Sequence, residues 1–422
     1  MKAEGGTVAQ RLQRDMPTFA GYGFIGVWAF FLYFVGPATP IIAEQLAVDD
    51  ALAALTGTAL AGGLVGSGFV GPRLIENVGR RRATVLVLVG MVITALLLAV
   101  APGLPVILVA VLICATCGAI LANMASAVLA ERHGPLGATA LTEANAVAAW
   151  IGLFAPAAIG LVVGLGWGWR PAAVVVAGIA GLMVARAITM SPADFQETSP
   201  EAGKQDSSPS TQPAMDAAAA GQDSATPSGR MGRSFNMALL AVVAAAASEF
   251  SLNFWGAVLL VERVGIDLAV ATAAMSLLVG GVALGRTLGA RVTYFFHPKQ
   301  ILLMGFGITF AAFVLLVWSQ ALWLSLLALL LTGMGLAMLF PLAQALAISN
   351  SQGRTDKATA YVSMSVGLAI GVAPFLLGAL VGVFGVVLAF LVVPVAIIVG
   401  VAAVLLSSGP EPTVQPGDSV SI

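Results

Sequence analysis

The chain has 422 residues, 59% of them hydrophobic and 9% charged, with a formal net charge of -1. Soluble domains carry roughly 25% charged residues, so the composition is that of a membrane protein. The lack of a basic surplus sets nucleic-acid binding aside. No glycine-rich loop followed by Lys-Ser or Lys-Thr is present, which argues against ATP-driven transport by this chain itself. Nor is there a Ser/His/Asp set or a metal-ligand cluster, so no enzyme activity, cofactor or metal is expected.

Apolar runs of about 18–25 residues, read as membrane spans, number twelve. They fall at about 18–40, 52–72, 82–101, 105–130, 137–165, 171–190, 236–261, 270–292, 300–318, 322–348, 358–382 and 384–407. The polar N-terminus (Lys2, Glu4, Arg11, Arg14, Asp15) lacks a cleavable signal pattern. The first run contains Tyr33, and the fourth contains Cys114 and Cys117 with Asn123 and Ser126. With no other ligands nearby, and with His133 and His297 outside the spans, the Cys pair reads as small residues on one helix face. The fifth run carries Glu143 about one to two turns in, then Asn145, and closes on Ala155-Pro156 with Gly160.

Residues 191–235 are rich in Ser, Pro, Asp, Gly and Ala and read as a disordered linker between two six-span halves, 1–190 and 236–407, with a tail at 408–422. The seventh run places Glu249 near mid-bilayer at 1.5 Å per residue. An ionised carboxylate there is costly unless paired or wet, so reversible protonation is plausible, or else a protonated glutamate that serves packing. Asn253 lies one turn on, and Trp255 with Tyr33 could supply an aromatic wall. Arg286 in the eighth run matches Glu143 in depth and opposes it in charge; Gln344, Tyr361, Ser363 and Ser365 follow in the tenth and eleventh.

The halves echo one another. Gly62-Gly63 with Gly71 and Arg73 recurs as Gly280-Gly281 with Gly289 and Arg291, and at the same offset Ala155-Pro156 with Gly160 recurs as Ala373-Pro374 with Gly378. Two matched pairs at one offset suggest a duplicated unit, the pattern of a carrier whose site lies between its repeats. If the N-terminus is cytoplasmic, Arg170 and Arg263 are the only Lys or Arg on the far side, so both termini are expected inside.

The loop between the second and third runs reads Gly71-Pro72-Arg73-Leu74-Ile75-Glu76-Asn77-Val78-Gly79-Arg80-Arg81-Arg82. This resembles the signature of the major facilitator superfamily, with Glu76 where aspartate is usual. Twelve spans, a central linker and the Trp169-Arg170-Pro171 turn extend the likeness over nearly the whole chain. Gly152 and Ala155-Pro156 also faintly resemble the family's antiporter motif on the fifth span, with Ala155 and Ile159 replacing two of its glycines.

The resemblance implies an all-α membrane protein of two pseudo-symmetric six-helix bundles, with spans 1, 4, 7 and 10 around a cavity and spans 3, 6, 9 and 12 peripheral. It implies a secondary transporter working by alternating access. Because spans 5 and 8 meet across the halves in that family, a Glu143–Arg286 ion pair is expected to close the cytoplasmic side in one state. Glu76, Arg80, Arg81 and Arg286 are the expected gating residues, and Glu249 and Glu143 the proton-coupling ones. Tyr33, Asn123, Ser126, Asn253, Trp255, Gln344 and Tyr361 are the expected substrate contacts. Carboxylates and aromatics without mid-depth Lys or Arg favour proton-linked efflux of a lipophilic or cationic compound from a bacterial inner membrane, by a monomer. Uptake of a small nutrient or organic acid is the alternative if Arg286 lies deeper. A transporter-like receptor that binds without translocating is the alternative from another class.

Overall fold

The computed structural model describes residues 12, 14–195, 231–292, 295–352 and 354–407. Among them are twelve helices long and apolar enough to cross a membrane. Spans 1–6 are Met16–Leu46, Asp50–Val78, Arg80–Val100, Leu104–His133, Gly137–Gly164 and Arg170–Thr189. Spans 7–12 are Arg233–Val264, Leu268–Gly289, Pro298–Trp318, Leu322–Ser349, Lys357–Phe384 and Val386–Leu406. We call the face holding Met16 and Leu406 proximal and the other distal.

Helix ends follow local chemistry. Asp15 caps span 1, its carboxylate accepting from Thr18 N at 3.0 Å and Thr18 Oγ1 at 2.6 Å. Span 1 runs beyond the expected residue 40 because Pro37 and Pro40 sit inside it without ending it; Ala47, in the left-handed region, closes it. Span 5 breaks at Leu153, just ahead of Pro156, which cannot donate to the Gly152 carbonyl. Its repeat mate Pro374 lies within an unbroken helix, Thr355–Phe384. Pro192–Phe195 forms a short 3-10 helix with Phe195 buried, and span 7 starts at Arg233. Both edges of the expected 191–235 linker are therefore ordered, whereas 196–230 and the 408–422 tail lie outside the described residues.

The duplicated glycines have a packing role. A Cβ on Gly63 would lie 2.5 Å from Leu112 O and from Ala115 Cβ, so spans 2 and 4 approach to backbone distance. Gly281 does the same between spans 8 and 10, where its Cβ would fall 2.1 Å from Leu330 O. Within the halves, span 1 also packs on span 5, span 3 on span 6, and spans 11 and 12 on span 7. The halves meet through spans 5 and 8, 2 and 11, and 1 and 7. Spans 1 and 7 are the most buried, and spans 6, 9 and 12 among the least, as expected of central and peripheral helices.

Candidate functional site

The contacts joining the halves fall in the distal half and the middle of the bundle. Gly160 of span 5 sits against span 8, where a Cβ would lie 2.6 Å from Ala269 O and from Ala273 N. Thr58 Oγ1 of span 2 donates to Gly371 O of span 11 at 3.0 Å. A Cβ on Gly57 would reach 3.3 Å from Ile370 O, and one on Gly36 of span 1 would overlap Asn253 Oδ1 of span 7 at 2.0 Å. Toward mid-depth, Leu153 meets Gly280 and Val65 meets Gly367. On the proximal side Gly68 has nothing within 4 Å, and Phe69 and Met364 are each about two-thirds exposed. The halves are thus latched at the distal face.

Beneath that latch lies Glu249, 9% exposed and the sole charged residue among the buried side chains described. Tyr33, 4% exposed on span 1, donates its hydroxyl to Glu249 Oε1 at 3.1 Å, across the boundary between the halves. Arg286 acts electrostatically on both Glu249 and Tyr33 without a direct ion pair. A buried carboxylate, a phenol and a guanidinium can exchange a proton against charge pairing, because protonating the carboxylate removes the guanidinium's counter-charge.

Asn253 is 1% exposed, and both of its amide atoms are buried without a hydrogen-bond partner. Trp255 is fully buried, but its Nε1 donates to Pro374 O at 2.9 Å, tying span 7 to span 11. No described ring contact joins it to Tyr33. Six positions beyond Glu249 on a helix of 3.6 residues per turn put it about 120° around the helix from Glu249. Asn123 is exposed, Ser126 and Gln344 are partly exposed, and Tyr361 packs edge-on against Phe235 at 6.1 Å. None of these four hydrogen-bonds to the Glu249 cluster.

The expected Glu143–Arg286 pair does not form. Glu143 instead binds Arg14, at 2.5 Å from Nη2 and 3.0 Å from Nε, and accepts from Tyr22 at 3.1 Å. Arg14 lies just before span 1, so the partner of Glu143 comes from its own half. The expected gating loop is likewise satisfied inside its own half. Arg80 pairs with Glu131 at 2.5 and 2.7 Å, and Arg81 donates to Ile188 O at 2.9 Å. Glu76 is exposed and belongs to none of the described ion pairs. Asp15 pairs with Arg132; burial pushes its carboxyl up, but the Arg132 and Thr18 hydrogen bonds outweigh that and hold it at about 2.

Sequence reading missed Arg14, Tyr22 and Gly36. Two prolines within one span were the available signal for the last, since they mark irregular backbone at membrane depth.

The sequence model of the Major Facilitator Superfamily matches residues 19–293 and 237–421. A search of curated sequences gave no match. Among solved structures, the chain resembles a bacterial homologue of the human lysosomal transporter Spinster, inward-facing and occupied. The TM-score is 0.67 at 13% identity, over 94% of this chain and 97% of that one. It also resembles the nucleoside transporter NupG, with TM-score 0.65 and 13% identity over 92% and 96% of the two chains. A third is the transporter FucP in its outward conformation, with TM-score 0.61 and 15% identity over 93% and 99%. At such identities the likeness concerns the fold, while the match to the family model spans nearly the whole sequence. The chain belongs to the major facilitator superfamily.

Proposed function

We propose that this chain is a proton-coupled secondary transporter that exports a lipophilic or cationic organic compound, with Glu249 as the proton carrier. The observation that carries the reading is the burial of one carboxylate, Glu249, at the contact between the two halves under a Tyr33 hydrogen bond. A group so placed is costly to keep charged and is neutralised by a proton or a bound cation. With the distal face latched, it can be reached only from the proximal side. The excess of basic residues there favours that side as the cytoplasm, and the membrane in this reading is a bacterial inner membrane. Glu143, already held by Arg14 and Tyr22, is a subordinate candidate for coupling, and its present role is to fasten the segment before span 1 to span 5.

Arg286 supports a second reading. Its electrostatic reach to Glu249 means that protonating Glu249 frees a cation for a carboxylate-bearing solute, giving proton-coupled uptake of an organic acid. Flux of tetraphenylphosphonium and of benzoate into proteoliposomes under an imposed pH gradient separates the two. Export predicts tetraphenylphosphonium flux that is lost in Glu249→Gln. Uptake of an acid predicts benzoate flux that is lost in Arg286→Gln. Flux of neither above protein-free vesicles contradicts both and favours a non-translocating binder.

A further inference from the structure

We infer that Asn253 is a specificity-determining residue, reserved for a hydroxyl or amide group that the transported cation carries about one helix turn from its charge. The inference rests on the export reading and names the substrate class more closely. A buried carboxamide brings two donors and an acceptor that ordinarily find partners, yet both polar atoms of Asn253 are buried without one. Neighbouring carbonyls are short of donors too. Pro37 and Pro40 have no N–H to give to the carbonyls of Tyr33 and Gly36, four residues before each.

These groups form one layer. Tyr33 bonds Glu249, and Gly36, nearly one turn on, abuts Asn253, itself one turn beyond Glu249 on the same helix. The layer thus offers a carboxylate and, about 6 Å along it, the acceptor and the donors of one amide. A protonated amine fits the first part. A neutral group that both donates and accepts fits the second.

The close approach of Gly36 explains why the amide is unpaired in this state. With a Cβ at Gly36 falling 2.0 Å from Asn253 Oδ1, span 1 seals the amide and leaves no room for a ligand. Parting of spans 1 and 7 at the distal face would expose Asn253. The hydroxyl or amide contact is therefore made in the distally open state, whereas the charge contact at Glu249 spans both. Alanine in place of glycine would keep the two helices from closing to this distance.

The test uses the full-length purified protein and two probes, 4-phenylbutylamine and 4-amino-1-phenylbutan-1-ol, which differ by one hydroxyl four carbons from the amine. Their dissociation constants are read from thermal shifts of Gly36→Ala, which keeps the amide exposed, alone and combined with Asn253→Ala or Glu249→Gln. The inference expects the hydroxylated amine to bind Gly36→Ala about tenfold tighter than the plain amine, the worth of roughly one hydrogen bond. Adding Asn253→Ala should bring the two affinities together, with circular dichroism showing that the double variant is folded. Adding Glu249→Gln should weaken both. Equal affinities in Gly36→Ala, or a preference that survives the addition of Asn253→Ala, overturns the inference alone, provided plain-amine binding still depends on Glu249. If neither amine binds Gly36→Ala, the cationic reading of Glu249 fails and the inference falls with it.

Discussion

Replacing Gly160 by alanine tests the distal latch at its tightest backbone contact between spans 5 and 8. The added Cβ would sit 2.6 Å from Ala269 O, Ala273 N and Ala273 Cβ, against 3.4 Å for ordinary contact, so the two spans must part by about 0.8 Å. Two of those three atoms are backbone, so no side-chain rotation relieves the clash. Overpacking of this kind costs about 1–3 kcal/mol. The cost falls on the distally closed state and vanishes once the latch parts, so the equilibrium between states moves about 5- to 150-fold toward the open one. Spin labels on cysteines at Trp167 and Asp267, exposed positions flanking the latch, report the separation in a Cys114→Ala/Cys117→Ala background. The wild type should give one short distance, and Gly160→Ala a substantial longer population. Gly164→Ala is the control, because its nearest neighbour, Ala269 Cβ, is already at 3.8 Å. An unchanged distribution in Gly160→Ala, or an equal change in Gly164→Ala, refutes the assignment of the latch.

Tyr33→Phe removes the hydroxyl donor to Glu249 but keeps the ring. Its proton-driven flux should peak at a shifted pH with little loss of thermal stability, and a pH profile superimposable on the wild type would remove Tyr33 from the coupling site. Glu143→Gln releases Arg14 but should leave the pH profile of transport in place; a lost profile would transfer the proton site to Glu143. Asp15→Asn keeps a competent helix cap and deletes the charge paired with Arg132. The pair is partly exposed, so the loss at neutral pH should be at most about 1 kcal/mol. Asp15 is depressed on folding to about 2, so its contribution is present above the ordinary carboxylate value and is lost as pH falls through about 2. The melting difference between wild type and Asp15→Asn should accordingly hold down to about pH 4 and narrow below it. A gap that widens on acidification would contradict the pairing.

The architecture was legible because hydrophobic length is a strong signal: a membrane forces every backbone polar group into long helices, whose lengths the apolar runs report. The glycine repeat was legible for a related reason, since only glycine permits the backbone approach seen at Gly63 and Gly281. Glu249 stood out because a lone carboxylate in an apolar run has few structural excuses. Partnership was harder to read. Depth and sign suggested Arg286 for Glu143, but which helix ends meet depends on the state of the gate, and a sequence encodes all states at once. Arg14 went unrecognised as a partner because it precedes the first apolar run, where charged residues are usually solvated. Trp255 was expected beside Tyr33, but it lies about 120° around the helix from Glu249, and its indole reaches the Pro374 carbonyl of span 11 instead.

The proton count on ligand binding tests Glu249 most directly. Weakly buffered purified protein is titrated with tetraphenylphosphonium while free proton concentration is followed, for the wild type and Glu249→Gln. If a cation displaces the proton held by Glu249, the wild type releases protons in proportion to bound tetraphenylphosphonium and Glu249→Gln releases none. Equal release from both proteins, or binding to the wild type with no release, would contradict Glu249 as the site where proton and substrate exchange.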